Sequence, residues 1–270
     1  MAHIPHISST DNPRIKAVIA LRKARQRRRS GLFVAEGWRE VERAERAGLE
    51  IEELFTCAEL LGSKAPQWKA ARRYTVALHA FGRMCYRDEP EGVLAVVRQP
   101  RWDLEQVAGR PAEAARLWLV AVGLSKPGNL GAMARTAVAA GAGVMLVADG
   151  AADAFNPNAL RVSTGACYVL PIFTMTTAEA LPLLHRHGVR PLCAHPAAET
   201  PCFEADLRDD IALVIGAEDR GLDAAWLEAG LAVTIPLQSD MIDSLNASVA
   251  AGILLFEAVR QRRSAGNNDR

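Results

Sequence analysis

From residue 117 onward, short uninterrupted apolar runs alternate with longer segments of helical pattern. The runs include "LWLVAV" at 117–122, "VMLVA" at 144–148 and "ALVIG" at 212–216. Strands that are apolar at every position are typical of a parallel sheet covered on both faces. Since parallel strands need long crossover connections, the segments between the runs are predicted to be helices. This part of the chain is therefore predicted to be an α/β domain with a parallel sheet.

The first third of the chain has a different pattern, which predicts a smaller α/β unit. We expect a basic helix at 14–29, an amphipathic helix at 38–48 and a last strand at 91–99. Residues 98–116 contain two prolines and a glycine without a sustained apolar period, so they are predicted to be mostly linker. The predicted boundaries are a first domain at 1–99, a linker at 100–114, a second domain at 115–263 and a tail at 264–270.

The formal net charge of the chain is only +1, so no overall basic field is available to attract an acidic partner. One stretch, "RKARQRRR" at 22–29, nevertheless has six basic residues in eight positions. It is either a solvated helix face or a surface that contacts the phosphates of a nucleic acid. The candidate phosphate contacts are Arg22, Lys23, Arg25, Arg27, Arg28 and Arg29.

The five cysteines are scattered and form no Cys-x-x-Cys pair, which argues against a zinc site and against a disulfide framework. We therefore expect no bound metal and a location in the reducing cytoplasm. The N-terminal residues lack the pattern of a signal peptide, and no uninterrupted apolar stretch reaches the roughly 18 residues that span a membrane. No membrane association is expected.

The first of three unusual strand exits is "GLSKPGNLGAMARTA" at 123–137. Its glycine spacing begins like a P-loop, but Asn129 and Leu130 stand where that motif needs Lys and then Ser or Thr. Asn129 is predicted to be the N-cap of the following helix. Arg135 comes six residues later among small and apolar neighbours. It is either a solvated surface arginine or one that binds a partner or ligand.

The other two exits are "VIGAEDRGL" at 214–222 and "TIPLQSDMIDSLNASVAAG" at 234–252. In the former, two glycines bracket Glu218, which a plain solvated loop does not require. In the latter, Ser244 is predicted to cap a long helix, whereas capping does not require Asn246, a poor helix former. Since ligands bind at the carboxyl ends of parallel strands, the three loops together indicate a candidate site.

In combination, these residues resemble motifs one to three of the SpoU (TrmH-like) branch of the SPOUT methyltransferases, over about residues 113–262. Residues 10–97, which include "NPRIK" and "FVAEGWREVERA", resemble the N-terminal substrate-binding domain of the ribosomal-RNA members. The residues that carry the three motifs are Asn129, Gly131, Arg135, Gly216, Glu218, Gly221, Ile235, Pro236, Ser244, Leu245 and Asn246.

The resemblance implies both a fold and a reaction. The C-terminal parallel-sheet domain of such proteins is tied in a deep trefoil knot, an exception to the rule that chains do not thread loops. The smaller N-terminal α/β domain binds RNA. S-adenosylmethionine binds in the knot, and homodimers form active sites to which both subunits contribute. The reaction is methyl transfer to a ribose 2′-oxygen in RNA, and the expected substrate is 23S ribosomal RNA.

The resemblance also assigns roles to residues. The implied catalytic residues are Arg135, Asn129, Glu218, Ser244 and Asn246. The implied cofactor-binding residues are Ala194, Gly216, Ala217, Glu218, Gly221, Ile235, Pro236, Leu237, Ser244, Leu245 and Asn246. Arg135 and Lys126 join the basic stretch 22–29 as expected RNA contacts. Arg135 is either the base for the 2′-hydroxyl or a ligand of the adjoining phosphate, a role that suits a permanently charged guanidinium better.

Two features of the chain depart from the family pattern. Many members have Asp-Pro before the first-motif asparagine, where this chain reads "SKPGN" with Lys126. The insert "QSDMID" is longer than in some relatives, which leaves the geometry of the loop Ser239–Asp243 open.

Several alternatives stay open at this point. The substrate could be tRNA, or the protein could bind RNA on the same fold without catalysis. A dinucleotide-dependent oxidoreductase would use Asp149 as its acidic residue, but the G-x-G-x-x-G pattern is incomplete. One sequence does not determine the target nucleotide, nor whether the modification is housekeeping or confers antibiotic resistance.

Overall fold

The computed structural model describes residues 4–62, 67–109, 116–239 and 241–268. The chain divides into two compact units, of which the first comprises Met1–Arg101 and Phe155–Val169 and the second comprises Trp102–Ala154 and Leu170–Arg270. Outside the described residues lie 110–114 of the expected linker, Asp240 of the loop after the third strand exit and the last two residues of the expected tail.

Strands and helices alternate through most of the described chain. Its strands are β1 (His6–Ile7), β2 (Leu32–Glu36), β3 (Ile51–Thr56), β4 (Arg72–Val76), β5 (Val93–Arg98), β6 (Leu117–Val122), β7 (Val144–Ala148), β8 (Ile172–Met175), β9 (Arg190–Ala194), β10 (Ile211–Ile215) and β11 (Leu231–Val233). Its helices are α1 (Pro13–Ala20), α2 (Ala24–Ser30), α3 (Trp38–Arg46), α4 (Ala58–Leu61), α5 (Leu78–Met84), α6 (Leu104–Ala108), α7 (Pro127–Ala139), α8 (Pro157–Ser163), α9 (Ala166–Val169), α10 (Thr177–Arg186), α11 (Ala224–Ala229) and α12 (Ala247–Asn268).

The sheet of the second unit has six strands in the order β11-β9-β10-β6-β7-β8, and every pairing in it is parallel. β6, β7 and β10 are buried at every position, as their continuous apolar sequences predict. Trp118, Leu146, Val214 and Trp226 belong to the core packed against this sheet. The predicted parallel α/β domain is confirmed, and the trefoil knot stays a prediction.

The sheet of the first unit has five strands in the order β1-β4-β3-β5-β2. β4 runs parallel to β1 and β3, whereas β5 runs antiparallel to β2 and β3. Phe55, Phe81 and Leu94 lie in the core on this sheet. The predicted smaller α/β unit is confirmed. Sequence reasoning missed β1, α4 and α5, because elements of two to seven residues are too short to leave a clear period.

The expectation of a single basic helix at 14–29 is wrong, because the chain forms two helices there. α1 begins after Asn12, whose Oδ1 accepts a hydrogen bond from Arg14 N at 2.9 Å. Pro13 occupies the first helical position, where its missing N–H costs nothing. α1 ends at Ala20, and α2 begins after a break of three residues.

Arg27 in α2 stabilises this break. Its side chain is only 2% exposed, and its Nη1 donates hydrogen bonds to the carbonyl oxygens of Leu21 at 2.7 Å and Arg22 at 2.8 Å. Carbonyls at the end of a helix have no partners within the helix, so the guanidinium supplies the missing donors. The expectation that Arg27 contacts RNA phosphate is therefore wrong, because its side chain is buried.

The segment 155–169 lies inside the range expected for the second domain, yet its contacts place it in the first unit. It contains α8 and α9. The ring of Phe33 lies 5.0 Å from that of Phe155 and 5.4 Å from that of Tyr168, measured between ring centroids. The core of the first unit is thus completed by a segment from much later in the chain.

None of the helices in the described ranges combines the length and the apolar character that spanning a bilayer demands. The five cysteines are buried, and within those ranges none is in a disulfide. The same ranges hold no group of three or more His, Cys, Asp or Glu residues placed to bind a metal ion.

Candidate active site

Three loops leave the carboxyl ends of β6, β10 and β11 in the second unit. In the first loop, α7 begins at Pro127, so the expectation that Asn129 caps this helix is wrong. Lys126 takes the N-cap position and makes no side-chain hydrogen bond to the helix. Pro127 favours this start because its fixed φ suits the first helical position. Asn129 therefore lies within the first turn, with its side-chain amide available to another loop.

The carboxylate of Glu218 connects the three loops. Its Oε1 accepts hydrogen bonds from Asn129 Nδ2 at 3.0 Å and Asn246 Nδ2 at 2.6 Å. Its Oε2 pairs with the ammonium of Lys126. The hydrogen bond from Lys126, followed by that from Asn129, lowers the pKa of Glu218 below its ordinary value. Glu218 is therefore a carboxylate near neutral pH, and Lys126, whose pKa the same pair raises, is an ammonium.

Asn246 makes separate contacts through the two ends of its side-chain amide. Its Oδ1 accepts hydrogen bonds from the backbone N of Ser248 at 3.0 Å and the Oγ of Ser248 at 2.6 Å. Its backbone carbonyl accepts from Ala250 N at 3.0 Å. Asn246 therefore caps α12, and the expectation that Ser244 does so is wrong. Because the helix holds Oδ1, Nδ2 is the end that reaches Glu218.

A tight turn positions Glu218 after β10. Gly221 has a φ of +67°, in the left-handed region, and its N donates to the carbonyl of Ala217 at 2.9 Å. A Cβ on Gly216 would lie 2.5 Å from the carbonyl oxygen of Gly221, which is too close for any real side chain. The two glycines thus bring two stretches of backbone together and hold Glu218 between them.

A cavity of about 390 Å³ adjoins Glu218. This volume falls in the range of about 300–1,000 Å³ that is usual for small-molecule sites. Pro236 and Asn246 are not among its lining residues, although both were expected to bind the cofactor. The expected cofactor-binding residues that do line it are Ala194, Gly216, Ala217, Glu218, Gly221, Ile235, Leu237, Ser244 and Leu245.

Sequence reasoning missed four other polar residues of the cavity wall. They are His195, Thr234, Asp219 and Asp243. His195 is the first residue after β9, and Thr234 is the first after β11. Their position at the carboxyl ends of parallel strands is the signal that could have identified them. The two aspartates add negative charge to the wall.

Arg135 lies apart from the Glu218 contacts. It is exposed on α7, and within the described part of the chain its side chain makes no hydrogen bond or ion pair. Val138, three residues further along the helix, is also exposed. We call Glu218 with its three partners, Lys126, Asn129 and Asn246, the Glu218 cluster. Within a single chain, the side chain of Arg135 makes no polar contact with this cluster.

The basic residues of α2 and the preceding break have different environments. Arg27 is buried, as described above. Arg22 is exposed, but its Nη2 donates to the carbonyls of Cys85 at 2.5 Å and Arg83 at 3.1 Å, at the end of α5. In this stretch, the exposed basic residues whose side chains make no hydrogen bond or ion pair in the described ranges are Lys23, Arg25, Arg28 and Arg29.

Asp149 does not have the environment that dinucleotide binding requires. Its Oδ1 and Oδ2 accept hydrogen bonds from the backbone N of Thr177 at 3.2 Å and 3.1 Å, and Oδ2 also accepts from the Thr177 hydroxyl. The carboxylate therefore fixes the start of α10. A ribose-binding acid would instead have its oxygens available to the ligand.

Two family matches cover most of the chain. Residues 116–256 match the SpoU rRNA Methylase family, and residues 12–95 match the MRM3-like substrate binding domain. An uncharacterized tRNA/rRNA methyltransferase of Synechocystis sp. is 32% identical over 97% of this chain and 96% of its own. The 23S rRNA (guanosine(2553)-2′-O)-methyltransferase RlmP of Bacillus subtilis is 30% identical over 93% of this chain and 97% of its own.

Two solved structures are similar along nearly the whole chain. A crystal structure of an RNA 2′-O ribose methyltransferase is 40% identical with a TM-score of 0.82, covering 96% of this chain and 99% of its own. The SpoU methyltransferase AviRb from Streptomyces viridochromogenes, in complex with the cofactor AdoMet, is 27% identical with a TM-score of 0.84, covering 94% and 99%. The three loops and the Glu218 cluster lie within the residues that match the family. The chain belongs to the SpoU rRNA methylase family.

Proposed function

We propose that this protein transfers a methyl group from S-adenosylmethionine to a ribose 2′-hydroxyl of ribosomal RNA. The observation that carries the proposal is the Glu218 carboxylate, which Lys126, Asn129 and Asn246 hold beside a cavity of suitable size. The 23S rRNA 2′-O-methyltransferase of Bacillus subtilis and the AdoMet complex of AviRb support the same reaction.

The cavity suits S-adenosylmethionine in size and polarity. Its apolar side chains include Ile235 and Leu245, which can contact an adenine ring. We assign the backbone groups of Gly216, Ile235 and Leu245 to binding the adenine and ribose. Asp219 and Asp243 favour the cationic groups of the cofactor by charge. When bound, the cofactor supplies a methyl group activated by its sulfonium.

The residues of the Glu218 cluster position the reaction. Methyl transfer needs the 2′-hydroxyl aligned with the methyl carbon and relieved of its proton. Both oxygens of Glu218 are occupied by Lys126, Asn129 and Asn246, so this carboxylate fixes the loops rather than accepting the proton. Ser244 lines the cavity and does not cap α12, so we assign its hydroxyl to the ribose.

We further propose that the enzyme is a homodimer in which Arg135 serves the partner's site. Val138 on α7 and Val249 and Phe256 on α12 are exposed apolar residues, and the last two are seven residues apart on one helix face. α7 packs against α12, since a Cβ on Gly252 would lie 3.7 Å from the side chain of Thr136. A second copy of the chain that packs on this face would also contact Arg135, which lies one helical turn before Val138. Arg135 then binds the phosphate beside the target ribose.

Ribosomal RNA is the proposed substrate because the first unit matches a substrate binding domain and presents basic residues on α2. Each lysine or arginine that neutralises a phosphate releases counterions, so this contact predicts salt-dependent RNA binding. Methylation of tRNA and RNA binding without catalysis are the alternatives to be tested. The expected location is the cytoplasm, where this RNA is modified.

Two measurements test the proposed function. Calorimetry should show S-adenosylmethionine binding to the isolated protein. Maps of 2′-O-methylation from cells with and without the gene should differ at a ribose in 23S ribosomal RNA. A lost methyl group in tRNA would move the substrate to that class. Failure to bind S-adenosylmethionine would contradict catalysis and favour an RNA-binding protein.

A further inference from the structure

The first unit contains an open groove that the proposed methyl transfer does not use. The groove has a volume of about 290 Å³ and lies between α1, α2 and the sheet. Val18 of α1, Leu21 just after α1 and Val96 of β5 give it apolar walls. Ala17 of α1 also lines it and is exposed, so a small side chain leaves this side of the groove open.

The α2 edge of the groove carries polar groups. Gln26 and Ser30 line it and lie one turn apart on the same helix face. The Ser30 hydroxyl donates to the Gln26 carbonyl at 2.8 Å. Within the residues described, the side-chain amide of Gln26 makes no hydrogen bond, so both its donors and its acceptor are available to a ligand.

The opposite edge carries charges that compensate each other. Glu53 accepts from Arg72 Nε at 3.1 Å and also pairs with Arg14. Glu52 pairs with Arg98 and lies 3.7 Å from Arg72 Nη2. This edge is therefore polar but close to neutral, and the guanidinium of Arg72 remains about half exposed.

The solvent side of α2 has a very different charge. Lys23, Arg25, Arg28 and Arg29 are exposed there and lack ionic partners among the described residues. The same short helix thus presents a neutral polar face to the groove and unpaired cations to solvent. A nucleotide of single-stranded RNA divides in the same way, into an uncharged base and an anionic phosphate.

We propose that this groove binds one unpaired nucleotide of the RNA substrate, with its base in the groove and the adjoining phosphates along α2. The inference rests on the proposed function, in which RNA is the substrate. Apolar side chains and arginine planes stack on bases, and sequence-specific RNA recognition mostly targets unpaired nucleotides. The Gln26 amide can hydrogen-bond to a base edge. A base paired within a helix cannot enter, so the groove selects single-stranded RNA.

Ala17→Phe tests the proposal, because a phenyl ring at this exposed helical position fills the groove without changing a charge. The probes are a 12-nucleotide oligouridine strand and a blunt-ended RNA duplex of equal phosphate number, with affinity measured by fluorescence anisotropy at several salt concentrations. Ala17→Phe should weaken binding of the strand by about 5- to 100-fold, the effect of losing one stacked base. Duplex binding and the salt slope for the strand should stay unchanged. Ala17→Ser, which keeps the groove open, should bind as the wild type does.

Arg28→Ala is the matched variant for phosphate contact on the same unit. It should weaken the binding of both RNA probes and reduce the salt slope for the single strand by about 0.7. The proposal is overturned if Ala17→Phe binds the strand as tightly as wild type, or if the substitution weakens the binding of both RNA probes equally. Gln26→Leu provides a second test that does not depend on a bulky residue, since it should also weaken only the strand.

Failure of the groove assignment can be distinguished from failure of the proposed function. Calorimetry with S-adenosylmethionine should give the same affinity for Ala17→Phe and wild type, and the unchanged duplex binding shows that the first unit of the variant is folded. If the wild-type protein binds neither RNA, the proposed function fails. If it binds RNA and methylates ribosomal RNA but Ala17→Phe has no effect, the groove assignment alone fails.

Discussion

At the scale of single residues, Asn246 joins helix capping to the geometry of the candidate site. Its Oδ1 accepts hydrogen bonds from Ser248, and its Nδ2 donates to Glu218. An aspartate at this position would keep the acceptor that caps α12. It would lose the donor and set a second carboxylate against Glu218. The two roles of the side chain can therefore be separated by one substitution.

Asn246→Asp should lower methyl transfer by about 10- to 100-fold, because a hydrogen bond to a charged group is worth about 1.5–3 kcal/mol. It keeps the helix cap, since Asp and Asn cap helices equally well, so its free energy of unfolding should fall only through the solvent-screened loss of the contact with Glu218. Asn246→Ala removes both contacts, so it should also lower the free energy of unfolding by about 1 kcal/mol. Rate measurements and urea unfolding compare the two variants. An equal loss of stability in both would contradict the division of roles.

Lys126 lowers the pKa of Glu218 through their ion pair. Lys126→Met removes the largest cause of the lowered pKa of Glu218, so that pKa should rise towards its ordinary value. A carboxylate with a lowered folded-state pKa contributes stability above its unfolded-state pKa and loses this contribution as the pH falls. Because the proposed site needs Glu218 as a carboxylate, the higher pKa of Glu218 in the variant should move the acid limb of kcat/KM to higher pH. Lys23→Met removes an equal charge from the first unit and should leave the limb unmoved. An unshifted limb in Lys126→Met would show that the ion pair does not govern Glu218.

The sequence predicted which residues form the site better than it predicted their contacts. Gly216, Glu218 and Gly221 follow from a short motif whose turn needs its glycines. The two wrong cap predictions, Asn129 and Ser244, have different reasons. Ser and Asn are equally good caps, so local sequence does not decide between Ser244 and Asn246. α7 instead begins at Pro127 after Lys126, which is not a preferred cap residue.

At the scale of elements, the predictable strands are those buried on both faces. β6, β7 and β10 leave continuous apolar runs, and the structure places each within one residue of its predicted position. The break between α1 and α2 leaves no such signal, because Leu21, Arg22 and Lys23 are all good helix formers. Its cause is tertiary, since the buried guanidinium of Arg27 binds the carbonyls of Leu21 and Arg22.

Arg27→Met should therefore lower the free energy of unfolding by about 1–3 kcal/mol, the cost of leaving polar groups without their hydrogen bonds. Arg28→Met removes an exposed arginine from the same helix and should change it by no more than about 0.5 kcal/mol. Urea unfolding measures both variants. A similar stability for the two would show that Arg27 does not stabilise the helix break.

At the scale of the whole molecule, a single chain leaves two features unexplained. One is the exposed apolar face of Val138, Val249 and Phe256. The other is Arg135, whose side chain makes no hydrogen bond or ion pair within the described ranges although it belongs to the family motif. The face and Arg135 adjoin on α7, so one homodimer would account for both. Closed twofold symmetry would then place each Arg135 against the partner's site.

This arrangement predicts complementation between inactive variants. Arg135→Ala and Glu218→Ala should each abolish most methyl transfer as homodimers. In a mixed dimer, one of the two sites combines an intact Arg135 from one subunit with an intact Glu218 from the other. Random exchange of equal amounts should therefore restore about a quarter of the wild-type activity. Adding Phe256→Asp to both variants should prevent the restoration by separating the subunits, which size-exclusion chromatography would show. If subunits exchange and activity stays absent, Arg135 acts within its own chain or not at all.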